Sequence, residues 1–578
     1  MLSARQKAIF RKGAKRFRLA HPLGGNRMKL HKCLLWFLAV VFLALPCLHV
    51  RGQQSQLGQV EFQTSGSEKA QSHFLRGLAA LHSFWYEEAL EAFRESTKVD
   101  PDFMMGYWGE AMTFNHPLWG EQDTAAARAV IAKIRDTPKL TARERAYLNA
   151  VRALYGEGDK RARDTAYSAA MEKIYHDYAD DLDAAAFYSL SLLGLGPDGK
   201  SYRMQARAGA IALDVYQKNP NHPGAAHYII HAFDDPDHAI LALPAARRYA
   251  SIAPEAHHAR HMPSHIFLQL GMWPEAAASN ESAWEASESW MKRKHLSTSV
   301  RDYHSLHWLL YVYLQQGRYR KAEELLALMK QTMSDTTYEN KLRPGYYQSN
   351  YANMAAAFVV ETERWNQAST LFPVSPTEAS SGSAMGDAHG GHGAAPIADK
   401  IAQADQPATL RTSNSGSRLP VFVRGLAACM SGSGEAKTRA TDVATSSVTI
   451  NELEVAAVAA AASSDHAQAA ELMKKATALE DEMGSPSGPP GLIKPAHELF
   501  GELLLKAGKP DLAAQQFKTS LLRQPNRARS LLGAARAAAQ TGDKAAATAA
   551  YAKFLEQWKQ ADEELPELKE ARDFVKPK

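Results

Sequence analysis

The stretches HPGAAHYIIHAF at residues 222–233 and HHARHMPSHIF at residues 257–267 place two histidine pairs in one register. His227 and His231 form the first pair and His261 and His265 the second, each histidine 34 residues from its counterpart. Pro220 and Pro254 mark the same interval just upstream. Thirty-four residues is the period of a helix–turn–helix solenoid unit, whose hairpins bury their apolar faces by stacking on one another. The expected fold class is therefore all-α, a helical-hairpin solenoid in two arrays. The 578 residues are too many for one compact core and suit a long repeat array. No sustained alternation of period two argues for strands.

Elsewhere the same unit shows its packing residues. Gly77, Ala89, Phe93 and Pro101 share offsets with Gly501, Ala513, Phe517 and Pro525, Tyr86 and Gly508 lie near the turn of each unit, and Gly542, Ala547 and Tyr551 follow Gly508, Ala513 and Phe517 one period later. Small residues let two antiparallel helices approach, a large one fills the gap, and proline ends the second helix. On these residues the chain resembles the tetratricopeptide (TPR) repeat family over most of residues 65–370 and 420–560, with about eight to ten helix pairs. The strings HPGAAHYIIHAFDDPDHA and HMPSHIFLQLGMW resemble those of exported bacterial TPR-repeat proteins of unassigned activity. In the unit around His466, Asp465 takes the place of the usual glycine.

The chain divides by composition. Residues 1–52 hold eleven Lys or Arg and no Asp or Glu. The remainder carries 56 basic and 62 acidic residues, a net of −6, which gives no electrostatic reason to expect nucleic acid. CLLWFLAVVFLALPCLHV at Cys33–Val50 reads as the apolar core of a secretory signal, with Val50 and Gly52 before a cleavage point. An uncleaved inner-membrane anchor is the alternative, and either Met1 or Met28 can serve as the start. The protein is expected to be exported, periplasmic or extracellular, meeting a membrane only through an uncleaved N-terminal segment. After cleavage Cys429 alone remains, so stability must come from helix packing. Residues 53–372 form the N-terminal array and 419–578 the C-terminal one. Between them, 373–418 is a flexible insertion too poor in large apolar residues to order itself, and it contains His389 and His392.

Eleven of the 22 histidines lie between His222 and His307, where even scatter would put about three. Spacing of four sets two imidazoles on one helical face, one turn apart, where they can share a metal ion. His227, His231, His261 and His265 are the candidate ligands, with a third ligand from a neighbouring repeat or from Asp234 or Asp235. Zinc suits imidazole with carboxylate, and copper or nickel also suits imidazole. Pro263 fits the first turn of a helix, which would leave His261 before that helix. The TPR resemblance implies that Asp234, Asp235, His258, His304 and His307 line the same concave groove, with Asn115 and His116 at groove positions twelve and thirteen of an early repeat. Near them, Trp108 and Trp119 read as core. Three readings stay open: a bound metal, a metal-free polar groove, and histidines that brace repeat contacts.

Other chemistry is absent. There is no HExxH, CxxC or GxSxG, and His497-Glu498 lacks a second histidine. GSGEAKT at 432–438 has Ala436 where a phosphate loop needs glycine, and Cys429 reads as core. The expected function is an exported scaffold binding a protein segment or small ligand in the histidine-lined groove, with a divalent transition metal as its cofactor if it has one. A metal-dependent hydrolytic enzyme is the alternative.

Overall fold

The computed structural model describes residues 56–196, 202–334, 345–373, 419–431, 449–484, 486, 488–489 and 492–576. The signal or anchor segment, nearly all of the 373–418 insertion with His389 and His392, and the 432–438 string lie outside them.

The first core contains α1 (Glu68–His82), α2 (Tyr86–Val99), α3 (Met104–Met112), α4 (Thr124–Ile131), α5 (Ala142–Leu154), α6 (Lys160–Asp177), α7 (Leu182–Gly194), α8 (Arg203–Lys218), α9 (Pro223–Ala232), α10 (Ala239–Ile252) and the short α11 (His257–His261). Then follow α12 (Pro263–Gln269), α13 (Trp273–Lys294), α14 (Tyr303–Gln315), α15 (Tyr319–Met333), α16 (Tyr346–Thr362) and α17 (Ala368–Leu371). The C-terminal helices are α18 (Leu419–Met430), α19 (Ile450–Ala462), α20 (His466–Glu482), α21 (Ala496–Lys506), α22 (Pro510–Arg523), α23 (Ala528–Thr541), α24 (Lys544–Gln557) and α25 (Pro566–Val575). Among the described residues the only strands are β1 (Asn115–His116) and β2 (Glu121–Gln122), an antiparallel pair.

The packing rule read from the sequence is visible in atoms. A Cβ on Gly77 or Gly109 would lie 2.9 or 2.3 Å from the Phe93 ring, so that ring occupies the space two glycines leave. Phe517 sits in the same way between Gly501 and Gly533. The turn inside each hairpin also repeats. Two residues before the second helix the backbone is left-handed, with φ +64° at Gly271, +69° at Gly317 and Gly508, and +83° at Gly542. Phe84 (+53°), Glu363 (+52°) and Ser464 (+63°) hold this position without being glycine. The glycine equivalent in the His466 unit is thus Ser464 rather than Asp465, whose carboxylate instead caps α20 at Gln468 N–H.

Two hydrophobic clusters divide between Ile266 and Phe267, so α14–α17 share a core with the C-terminal helices. The stack also curls back on itself. Helix α1 packs against α9, and Trp290 of α13 donates its indole N–H to Glu88 of α2 over 2.8 Å. This return brings α1 and its turn onto the histidine-bearing helices.

Candidate metal centre

Helix α9 begins with Pro223 at its first turn and exposes one face, carrying His227 and His231, to α11. Their Nε2 atoms lie 3.1 Å apart, and His258 Nε2 of α11 lies 3.2 Å from His227 Nε2. A second group repeats the pattern. His261 and His265 have Nε2 atoms 3.1 Å apart, and His304 of α14 completes the set. In each group the three ligand atoms lie within 4.8 Å of one another. An ion bound tetrahedrally at 2.0–2.1 Å holds its nitrogens about 3.3 Å apart, close to the spacings seen.

Three sequence expectations change in detail. Pro263 does not detach His261 from its partner. His261 ends α11, Met262 keeps helical dihedrals (φ −54°, ψ −35°), and α12 continues the register to His265. Each pair meets a third imidazole from a later helix, His258 of α11 or His304 of α14. Asp234 and Asp235 are supports: Asp234 accepts from His265 Nδ1 over 2.6 Å and from Gln269 over 3.1 Å, while Asp235 closes the turn before α10 by accepting from His238. His307, one turn beyond His304, is hydrogen-bonded to Asn350, and its burial pushes its pKa down to about 4. Asn115 and His116 are not on a groove helix, since α3 ends at Met112 and both lie in β1. There Asn115 accepts from Gln122, and His116 pairs with Glu121 and stacks on Tyr86 at 3.9 Å.

Hydrogen bonds behind the rings fix where their protons are. His227 Nδ1 is 2.7 Å from the His82 carbonyl, which only accepts, so the proton is on Nδ1. His265 Nδ1 faces the Asp234 carboxylate. His261 Nδ1 lies 2.6 Å from Asn280 Oδ1, whose amide nitrogen donates to the Ala276 carbonyl and so settles its orientation. Burial, reinforced by neighbouring imidazoles, pushes His227 and His261 down to about 3 and holds His231 and His258 well below the ordinary range. The Nε2 atoms of His261 and His265 face each other across 3.1 Å, on the side where an ion can lie. Ligating histidines whose other nitrogen donates to a carbonyl or carboxylate are the usual supporting pattern of metal sites.

A third cluster, His82, Asp183 and His222, was not visible in the spacing, and its protons give it a different role. His222 caps α9: its Nδ1 accepts from Ala225 N–H, so Nε2 carries the proton and faces Asp183 Oδ1 at 3.4 Å. His82 Nδ1 meets the Tyr228 hydroxyl, and its Nε2 donates to Asp183 over 2.9 Å. Asp183 thus receives two N–H groups and is held well below the usual carboxylate range despite its burial. Both imidazoles turn an N–H toward the carboxylate and use Nδ1 toward the Tyr228 hydroxyl and the Ala225 N–H, which leaves neither ring a lone pair for a metal. It anchors the His82 carbonyl that orients His227.

Aromatic rings wall the two open clusters. Phe84 is 4.3 Å from the His227 ring, Trp308 is 4.1 Å from His265 and 5.0 Å from His261, and Trp119 is 6.0 Å from His258. Trp108 is buried as expected, whereas Trp119 borders the histidines. His231 and His304 are the half-buried members and mark the solvent side. The sequence does signal Phe84, as the bulky residue at the turn where sister hairpins carry glycine.

Residues 70–103 match the model of the tetratricopeptide repeat. No curated protein matches the chain significantly. Among solved structures, yeast Tom70 is 10% identical over 83% of this chain and 90% of its own, with a TM-score of 0.30. The human IFIT1 dimer with m7Gppp-AAAA is 12% identical over 87% and 92%, with a TM-score of 0.32. The repeat match falls on α1–α2, and the same left-handed turn and glycine–phenylalanine packing recur in hairpins of both cores.

Proposed function

We propose that this TPR scaffold binds transition-metal ions through two adjacent three-histidine clusters, His227/His231/His258 and His261/His265/His304. The observation that carries the reading is geometric: in each cluster three imidazoles bring ligand atoms within 4.8 Å of one another, while Nδ1 of His227, His261 and His265 faces the His82 carbonyl, Asn280 and Asp234 behind the rings. Bracing alone would favour rings that donate to one another, as His82 and His222 do toward Asp183. A hydrolytic centre would ask for a carboxylate base beside the metal, and Asp234 and Asp235 are both engaged behind histidines. We therefore favour binding over hydrolysis. TPR arrays present surfaces to protein partners, and the loaded site would face such a partner from the side of His231 and His304. Among the described residues no helix is long and apolar enough to cross a membrane. Export rests on the basic, then apolar, residues 1–52, and a signal peptide delivering the protein to the periplasm is the accompanying proposal.

The test is elemental analysis of full-length protein purified without a histidine tag or chelator. Stoichiometric zinc, copper or nickel is expected, and its absence after reconstitution would end the reading. In the double variant His227→Ala, His265→Ala, uptake should be lost while far-ultraviolet circular dichroism stays unchanged. Retained uptake with a shifted melting temperature would instead mean bracing.

A further inference from the structure

We propose that the two clusters form one dinuclear copper site rather than two separate sites. This rests on the metal reading above and adds the nuclearity and the ion. Across the boundary, the His231 and His265 rings are 5.7 Å apart and the His258 and His261 rings 5.8 Å apart. Within the second cluster the separations run from 4.6 to 6.4 Å. The six rings are therefore one continuous array, and ions in its two halves lie within reach of a single small bridging ligand, as in other two-metal sites.

The halves are built alike. Each takes an i, i+4 pair from one repeat and a single imidazole from a later helix; the pairs are one 34-residue step apart, whereas His258 and His304 are not. Their half-buried members, His231 and His304, leave each half a side from which an ion can enter.

The donor set selects the metal. All six donors are imidazoles with no carboxylate among them, and affinity at nitrogen donors peaks at copper in the divalent series. The carboxylates at hand are Asp234, on His265, and Asp302, which pairs with His257 and acts on His261 and His304. Loaded directly with cupric ions, the pair takes a hydroxide from water between them, the proton leaving to bulk solvent.

The test uses full-length, tag-free protein stripped with a chelator. Titration with Cu(I) against a chromophoric competitor should show two ions per chain, bound in preference to zinc. After loading with two Cu(II), the electron paramagnetic resonance signal should account for well under half of the bound copper, because a bridged pair couples its spins. His304→Ala should leave one copper per chain with its full single-ion signal, and His231→Ala should do the same from the other half. Two uncoupled signals integrating to two spins, one copper only in the unaltered chain, or zinc retained against copper would each overturn the proposal and leave the metal reading standing. A chain that binds neither ion overturns both.

Discussion

Both cores of the molecule bury polar groups, but they complete them in opposite ways. In the second core Arg527 is fully buried and forks onto Glu498 with contacts of 2.8 and 3.0 Å; it also reaches Glu361 at 2.5 Å and the Tyr311 hydroxyl at 3.0 Å. Lys494 meets Glu498 and Glu502 at 3.0 and 2.7 Å. These charges face opposite charges brought from distant parts of the chain, and they tie the C-terminal array to α14 and α16. Around the six imidazoles, the protons that are fixed, on Nδ1 of His227 and His261, point away from the centre. The same repeat scaffold thus carries one network of paired charges and one array of imidazoles whose Nε2 atoms face one another.

The largest effect should come from opening the network of paired charges. Arg527→Met leaves Glu498 and Glu361 buried without their guanidinium, and removing one partner of a buried pair costs about 3–5 kcal/mol. Chemical denaturation should show that loss, with metal uptake at the histidines unchanged. A loss of uptake would show that the two regions are coupled.

Acid should separate the regions by pH. Burial alone would push the Glu498 carboxyl up, but the Arg527 and Lys494 charges overcome it and hold it well below its usual range. Its stabilising contribution is present above the unfolded pKa of about 4.3 and fades as pH falls below that. The buried histidines act earlier. His227 and His261, held near 3 in the fold, take protons in the unfolded chain once pH falls below about 6.5. Each then costs roughly 1.4 kcal/mol per pH unit down to its folded pKa. Chelator-stripped protein should therefore lose melting temperature from about pH 6.5 downward, with a steeper fall below about 4.3. A flat profile between pH 6.5 and 5 would contradict neutral burial of these rings.

Asp234→Asn should act on the site without opening either core. The amide cannot hold His265 Nδ1–H as a carboxylate does, and loss of such a support lowers metal affinity about 10–100-fold. Competition with a chromophoric chelator measures this, and unchanged affinity would remove Asp234 from its supporting role.

What could be read from the sequence was local. The i, i+4 pairs, the 34-residue step and the glycine–phenylalanine gap-filling follow from helix geometry. Composition places the boundary between arrays at residues 373–418, whereas the hydrophobic clusters change at Ile266 and Phe267. Which third imidazole meets which pair depends on how successive hairpins are rotated, and spacing does not encode that. The contact of His82 with His227 joins residues 145 apart and exists only because α1 folds back onto α9. Arg527 gave no signal because its partners come from three other helices.

Phe84 provides the finest comparison between hairpins. At the equivalent turn Gly271, Gly317, Gly508 and Gly542 adopt left-handed dihedrals without strain, whereas a side chain with a Cβ is strained there by about 1–2 kcal/mol. The ring nevertheless is buried, 4.3 Å from His227 and 5.7 Å from His258. Phe84→Ala removes the ring and keeps the backbone strain, while Phe84→Gly removes both. The glycine variant should therefore be the more stable of the two by about 1 kcal/mol, although glycine is ordinarily the worse replacement. Both should release bound metal faster than the unaltered chain, because each opens the same wall of the His227 cluster. Equal stabilities would mean that the turn relaxes once the ring is gone, and the left-handed backbone at residue 84 would then be a consequence of packing on the histidines rather than a property of the repeat.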